Sequence, residues 1–134
     1  MAFYLHTSAL ARLVVADAES EPLRDWLKAR DRRPVSCDLA RTELMRAIRR
    51  VAPDRTIRVR AVLDAVVLLR VTAATFENAA RLEPKALRSL DAVHVAAALE
   101  LGDDLEGFVA YDRRLAEAAE ANGVRVIAPG QPSP

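Results

Sequence analysis

The chain is short of lysine, of cysteine and of long apolar runs, and each shortage narrows what it can be. Its one cysteine, Cys37 in Pro34-Val-Ser-Cys37, excludes an intramolecular disulfide and fits a reducing compartment. No apolar run reaches the length of a membrane span. No basic segment followed by a long apolar one opens the sequence, so no signal peptide is expected and a cytoplasmic protein is. A Walker loop and a Gly-x-Gly-x-x-Gly turn are both missing, which removes the common backbone cradles for nucleotide phosphates. Paired Cys–His spacings are missing too, which removes a structural zinc site. Only Lys28 and Lys85 are lysines, so 18 of the 20 basic residues are arginine. Arginine binds phosphate through a bidentate fork, although coding bias in a GC-rich genome produces the same excess.

What remains is a chain of 134 residues, half of them hydrophobic, with a net charge of +1. That length suits one domain with a real core, and the composition excludes intrinsic disorder. The pattern along the chain alternates between strand and helix. Strands are expected at Ala2–His6, Val35–Cys37, Leu68–Thr72, Phe108–Tyr111 and Val124–Ile127. Helices are expected from a Thr7 or Ser8 cap to about Val15, from Ser20-Glu-Pro22 to about Ala29, and from an Asp38 cap to about Val51. Further helices are expected over Asp54–Val67 behind Pro53, over Ala74–Leu82 before Glu83-Pro84, from a Ser89 cap to Leu101 before Gly102, and from an Asp112 cap to about Ala121. Asp31–Pro34 and Asn122-Gly123 read as turns, residues 1–128 as one domain, and Pro129–Pro134 as a flexible tail. Continuously apolar strands separated by helices imply a parallel sheet covered on both faces. Such sheets bind ligands beyond the carboxyl ends of their strands.

Two polar residues, His6 and Asp112, stand at such ends. Two acids stand in helices: Glu43 within Leu39-Ala-Arg-Thr-Glu-Leu44, and Asp91 within Leu87-Arg-Ser-Leu-Asp-Ala-Val-His94. Each has an ordinary structural use. Asp112 suits an N-cap, worth roughly 1 kcal/mol. Asp91 lies in a first turn, where the helix dipole favours an acid by about 0.3–1 kcal/mol. Glu43 could pair on the surface with Arg46 or Arg50, although the small residues Ala40 and Ala47 beside it would let another element close over it. His94 could bond within the core or pair with Asp91. Taken together, acids gathered at strand ends and helix starts repel one another unless a cation sits between them. Mg²⁺, with oxygen ligands and retained waters, suits such a cluster and can activate water against a phosphodiester. A thiol site of Cys37 with the histidines has no local support. A phospho-receiver domain would need an acid where the first strand ends, and His6 and Thr7 stand there.

Four segments carry a resemblance: Phe3-Tyr-Leu-His-Thr-Ser-Ala-Leu10, Leu39–Leu44, Leu87–His94 and Phe108-Val-Ala-Tyr-Asp-Arg-Arg-Leu115. In order and spacing they resemble PIN-domain proteins, specifically the VapC-type toxins of bacterial toxin–antitoxin pairs. The resemblance implies a PIN-like three-layer α/β/α domain around a central, mostly parallel five-stranded sheet. It also implies an endoribonuclease using Mg²⁺ or Mn²⁺, a homodimer, and an antitoxin partner whose other end commonly binds operator DNA. On the same basis Glu43, Asp91 and Asp112 fall on acidic metal-site positions, and Thr7 and Ser8 on the polar pair that shapes the site. His6 departs from the pattern, because the family has Asp there. Imidazole is a softer ligand than carboxylate and removes a negative charge, so weak Mg²⁺ binding and low or absent nuclease activity are expected. A non-catalytic module that still binds an antitoxin is the alternative. Arg12, Arg41, Arg88 and Arg113 flank the motif residues and are candidates for holding RNA phosphates, each with a solvated helix face as its ordinary use.

Overall fold

A computed structural model describes residues 1–132. Five strands form one sheet: β1 (Ala2–Leu5), β2 (Arg33–Cys37), β3 (Val67–Leu69), β4 (Leu105–Val109) and β5 (Val126–Ile127). Their order is β3-β2-β1-β4-β5, and every pairing is parallel. Seven helices cover it: α1 (Thr7–Val14), α2 (Ser20–Ala29), α3 (Leu39–Val51), α4 (Thr56–Asp64), α5 (Ala73–Ala80), α6 (Ser89–Leu99) and α7 (Arg113–Ala121). The expected three-layer α/β/α architecture is therefore present, with a wholly parallel sheet.

The two layers follow from the two-residue period of the strands. Phe3 and Leu5 of β1 point to one face, where Leu10, Val14, Leu23, Leu44, Ile48, Val59 and Leu63 of α1–α4 bury them. Ala2 and Tyr4 point to the other, against Val95, Ala97 and Ala98 of α6 and Leu115 and Ala119 of α7. All four residues of β1 are buried, as a central strand requires. Seven of the eleven residues of α6 are buried, because its alanines let it lie close to the sheet.

Several expected boundaries move. The fourth helix ends at Asp64, because Val67 pairs with Val35 at the sheet edge and Val66 is buried. In a long apolar run, periodicity alone does not separate helix from strand. For the same reason β3 starts and stops earlier than Leu68–Thr72. β4 begins at Leu105 and ends at Val109, since sheet pairing carries the charged Glu106 and Gly107 into the strand. α6 ends at Leu99, and Gly102 opens a separate 3₁₀ turn. Three caps also differ. His6, not Thr7 or Ser8, caps α1 by accepting from the Ser8 N–H. Asp38 makes no cap bond and pairs with Arg41 instead. Ser89 is already helical behind an extended Arg88. Asp112 does cap α7, accepting from the N–H groups of Arg114 and Leu115 at 3.0 and 3.3 Å. In the segment read as a tail, the Pro129 carbonyl accepts from the Tyr111 hydroxyl at 2.8 Å; residues 133–134 lie outside the described residues. No described helix is long and apolar enough to cross a membrane.

Candidate active site

The chain runs outward from β1 through β2 to β3, then returns to add β4 and β5 on the other side of β1. The order therefore reverses between β1 and β4. In open parallel sheets that reversal leaves a crevice at the carboxyl ends of the two strands. His6 follows β1 directly, and Ala110-Tyr111-Asp112 follows β4. Ser8 ties the two ends together. Its hydroxyl oxygen accepts from the Tyr111 N–H at 3.1 Å and donates to His6 Nδ1 at 2.9 Å.

His6 is held on both ring nitrogens. Nδ1 also accepts from the Ser8 N–H at 3.1 Å, so the proton lies on Nε2, which faces Asp91 Oδ1 at 3.3 Å. Asp91 comes from the first turn of α6 and is partly exposed. The hydrogen bond from His6 holds its carboxyl below the usual range, against the opposing effect of burial.

The second acid is paired as well. Glu43, one turn into α3, is half-buried, and its Oε1 meets His94 Nε2 at 2.5 Å. The Thr7 hydroxyl donates to the same oxygen at 2.8 Å. Burial opposes ionisation of Glu43, but the hydrogen bonds and charge around it, chiefly from His94, hold its carboxyl below the usual range. His94 is fully buried on α6. Burial disfavours its charged form, yet Cys37 and Glu43 outweigh that and raise it from 6.5 to about 9. As an imidazolium it donates from Nδ1 to the Tyr4 hydroxyl at 2.7 Å, with Cys37 Sγ at 3.8 Å. Burial keeps the Tyr4 phenol well above its ordinary pKa and so protonated. The rings of His6 and His94 stand edge to face, 4.8 Å apart. Two carboxylate–imidazole pairs thus lie side by side at the mouth of the sheet.

Tyr4 is the member of this site that the sequence did not reveal, and His94, read as bonding within the core or pairing with Asp91, does bond within the core, to Tyr4. The other alternative for His94, a pair with Asp91 three residues before it, is not formed. Instead, α6 turns Asp91 to His6 and His94 to Glu43. The helical spacing of Asp91 and His94 could have marked both as facing one cleft; nothing local marks Tyr4, an inward residue of a short strand. The exposed Asp112 caps its helix. Of the four candidate arginines, Arg12 is taken up by Glu19 at 3.0 Å, Asp17 at 3.4 Å and the face of Tyr111. Arg41 pairs with Asp38 at 3.1 Å. Arg88 and Arg113 are exposed without an ion pair among the described residues.

A family model for the PIN domain matches residues 3–121. The chain belongs to the PIN-domain family. Among curated PIN-domain relatives it is 44% identical over 131 residues to Ribonuclease VapC35 of Mycobacterium tuberculosis H37Rv, covering 96% of this chain and 97% of that protein. It is 42% identical over 128 residues to Ribonuclease VapC46 of the same strain, covering 96% and 98%. It is 37% identical over 131 residues to Ribonuclease VapC47 of M. tuberculosis CDC 1551, covering 95% and 96%. The fold matches the crystal structure of M. tuberculosis VapC20, a Sarcin-Ricin loop cleaving toxin, with a TM-score of 0.72 at 18% identity, over 87% of this chain and 94% of that one.

PIN-domain ribonucleases of the VapC kind generally depend on a divalent metal ion. The donors in this PIN domain do not fit such an ion as they stand. No group of three or more His, Cys, Asp or Glu side chains among the described residues is placed to hold one. Asp91 and Glu43 each already face an imidazole, and Asp112 is bonded to its own helix.

Proposed function

We propose that this chain is the toxin of a toxin–antitoxin pair, an endoribonuclease by descent whose cleavage of RNA phosphodiesters is weakened by His6. Near full-length identity to ribonucleases supports the class of reaction. The observation that carries the weakening is the pair of imidazoles lying on the acids. The proposed metal positions are Glu43, Asp91, Asp112 and His6, with Mg²⁺ or Mn²⁺ as the ion. Holding an ion there requires Asp91 and Glu43 to give up their imidazole partners. His94 bears a proton that competes for Glu43, and removing it from a buried site costs free energy. A hard oxygen-seeking ion also gains less from an imidazole than from a carboxylate at position 6.

The chain's own groups set the rest of the site. Thr7 orients Glu43, and Ser8 fixes the tautomer of His6 while joining it to the end of β4. Arg88 and Arg113 remain free to meet RNA phosphates. The proposed partner is an antitoxin that covers this crevice and carries the pair to operator DNA; a homodimer and a cytoplasmic location complete the reading. The imidazole-filled acids also favour a second reading, a PIN domain that binds an antitoxin without cutting RNA.

Cleavage of a mixed RNA with Mg²⁺ and with Mn²⁺, by this chain and by its His6→Asp variant, separates these. Faster metal-dependent cutting by the variant supports a weakened nuclease. Equal cutting by both removes His6 as the cause. Cutting by neither favours the binding module.

A further inference from the structure

A dense run of positive charge lies outside the residues that form the crevice. Between Arg46 and Arg60, over the second half of α3 and the first half of α4, there are six arginines and one acid, Asp54. That segment carries a net charge of +5, whereas the whole chain carries +1. All six arginines are exposed, and only Arg55 has an acidic neighbour, Asp54 at 3.8 Å. Arg46, Arg49, Arg50, Arg58 and Arg60 have no ion-pair partner among the described residues. Compensation of the α3 dipole accounts for little of this, since it involves only the last turn and about 0.3–1 kcal/mol per charge.

The arrangement is more than a charged face. Arg46, Arg49 and Arg50 line one open concavity. Arg49 also lines its neighbour, whose other walls are Met45, Pro53, Thr56 and Ile57. Ile57 is 85% exposed, so this concavity has an apolar wall open to solvent. Guanidinium forks therefore stand beside an apolar floor, the combination that takes a phosphate together with an unpaired base. Glu43, Arg46 and Arg50 follow one another at helical spacing on α3. Arg46 lies about 4.5 Å and Arg50 about 10 Å along the axis from Glu43. A strand engaged at the crevice would meet these arginines next.

We propose that the α3–α4 surface of Arg46, Arg49, Arg50 and the Met45–Pro53–Ile57 floor is a docking track for single-stranded RNA, continuous with the crevice. This rests on the ribonuclease reading above. Arg12 and Arg41, engaged by their own acids, have less to offer a phosphate than these unpaired arginines. The test is equilibrium binding of a fluorescein-labelled mixed-sequence RNA 20-mer, with EDTA present so that cleavage does not contribute. Binding is read by anisotropy across a salt series, for the full chain and for an R46Q/R49Q/R50Q variant. Surface changes of this kind leave folding nearly intact, and circular dichroism with a thermal melt checks that. The expected result is an affinity loss of about tenfold or more, with the slope of log K against log salt flattened by about 2, as losing three phosphate contacts to a single strand requires. Unchanged affinity and slope, with RNA still bound, overturn the track and leave the ribonuclease reading standing. No RNA binding by the unaltered chain overturns both. A glutamate-rich peptide that binds the unaltered chain but not the triple variant, while RNA binds both alike, also overturns the track and makes the surface one for an acidic protein.

Discussion

Replacing His94 with leucine tests the central arrangement of the site. The pKa of His94 rises from 6.5 to about 9 on folding, so the folded chain holds a proton that the unfolded chain releases between those values. The stabilisation this represents is fully present below about pH 6.5 and is lost as pH rises through about 9. Each tenfold gain in proton affinity on folding is worth about 1.4 kcal/mol, so the proton on His94 contributes about 3 kcal/mol. Cys37 contributes with the opposite sign, because the hydrogen bond and charge of His94 hold its thiol below the ordinary value against burial. A Cys37→Ala background removes that contribution. Because Cys37 is also the largest of the groups that raise His94, urea unfolding of this background at intervals from pH 6 to pH 10 is expected to show stability still falling with pH, by less than about 3 kcal/mol, with Glu43 alone holding the proton. The His94→Leu variant is expected to be about 3 kcal/mol weaker at pH 6, because Glu43 and the Tyr4 hydroxyl lose their partner, and nearly flat with pH thereafter. A parent curve that stays level from pH 6 to pH 10 refutes the buried imidazolium. So does a variant that retains the parent's slope.

Other perturbations read neighbouring contacts. Tyr4→Phe removes the acceptor of the His94 Nδ1 proton without changing the packing, and is expected to cost about 1–3 kcal/mol in urea unfolding. Ser8→Ala unties His6 from the end of β4; amide exchange at Tyr111 is expected to speed up, and unchanged protection there would show that the tie is not formed. Asp112→Ala is expected to lower stability by about 1 kcal/mol through the lost α7 cap. On the acid side, Glu43 and Asp91 are held below the usual carboxylate range, so their stabilisation is present above that range and is lost as pH falls through the lowered values. The Asp91→Asn variant is accordingly expected to show a shallower acid limb than the parent.

Much of this molecule was legible without a structure. Alternation of apolar strands with helices dictated a doubly covered parallel sheet, because strands buried on both faces must be apolar throughout. The motif segments around His6, Glu43, Asp91 and Asp112 pointed to the PIN-domain family. The helix and strand limits between Asp54 and Thr72 were not legible, since only pairing with β2 decides where an apolar run changes from helix to strand. Nor was the pairing of the site. Local spacing brings Asp91 and His94 to one side of a helix, but the partner each takes depends on which strand end or helix lies across from it. The sheet order places His6 opposite Asp91, and the approach of α3 to α6 places Glu43 on His94. Charge followed the same division. The run of arginines from Arg46 to Arg60 is visible in the sequence, but which guanidiniums are left without an acid was decided only by folding, because ion pairs form between residues that the tertiary fold brings together.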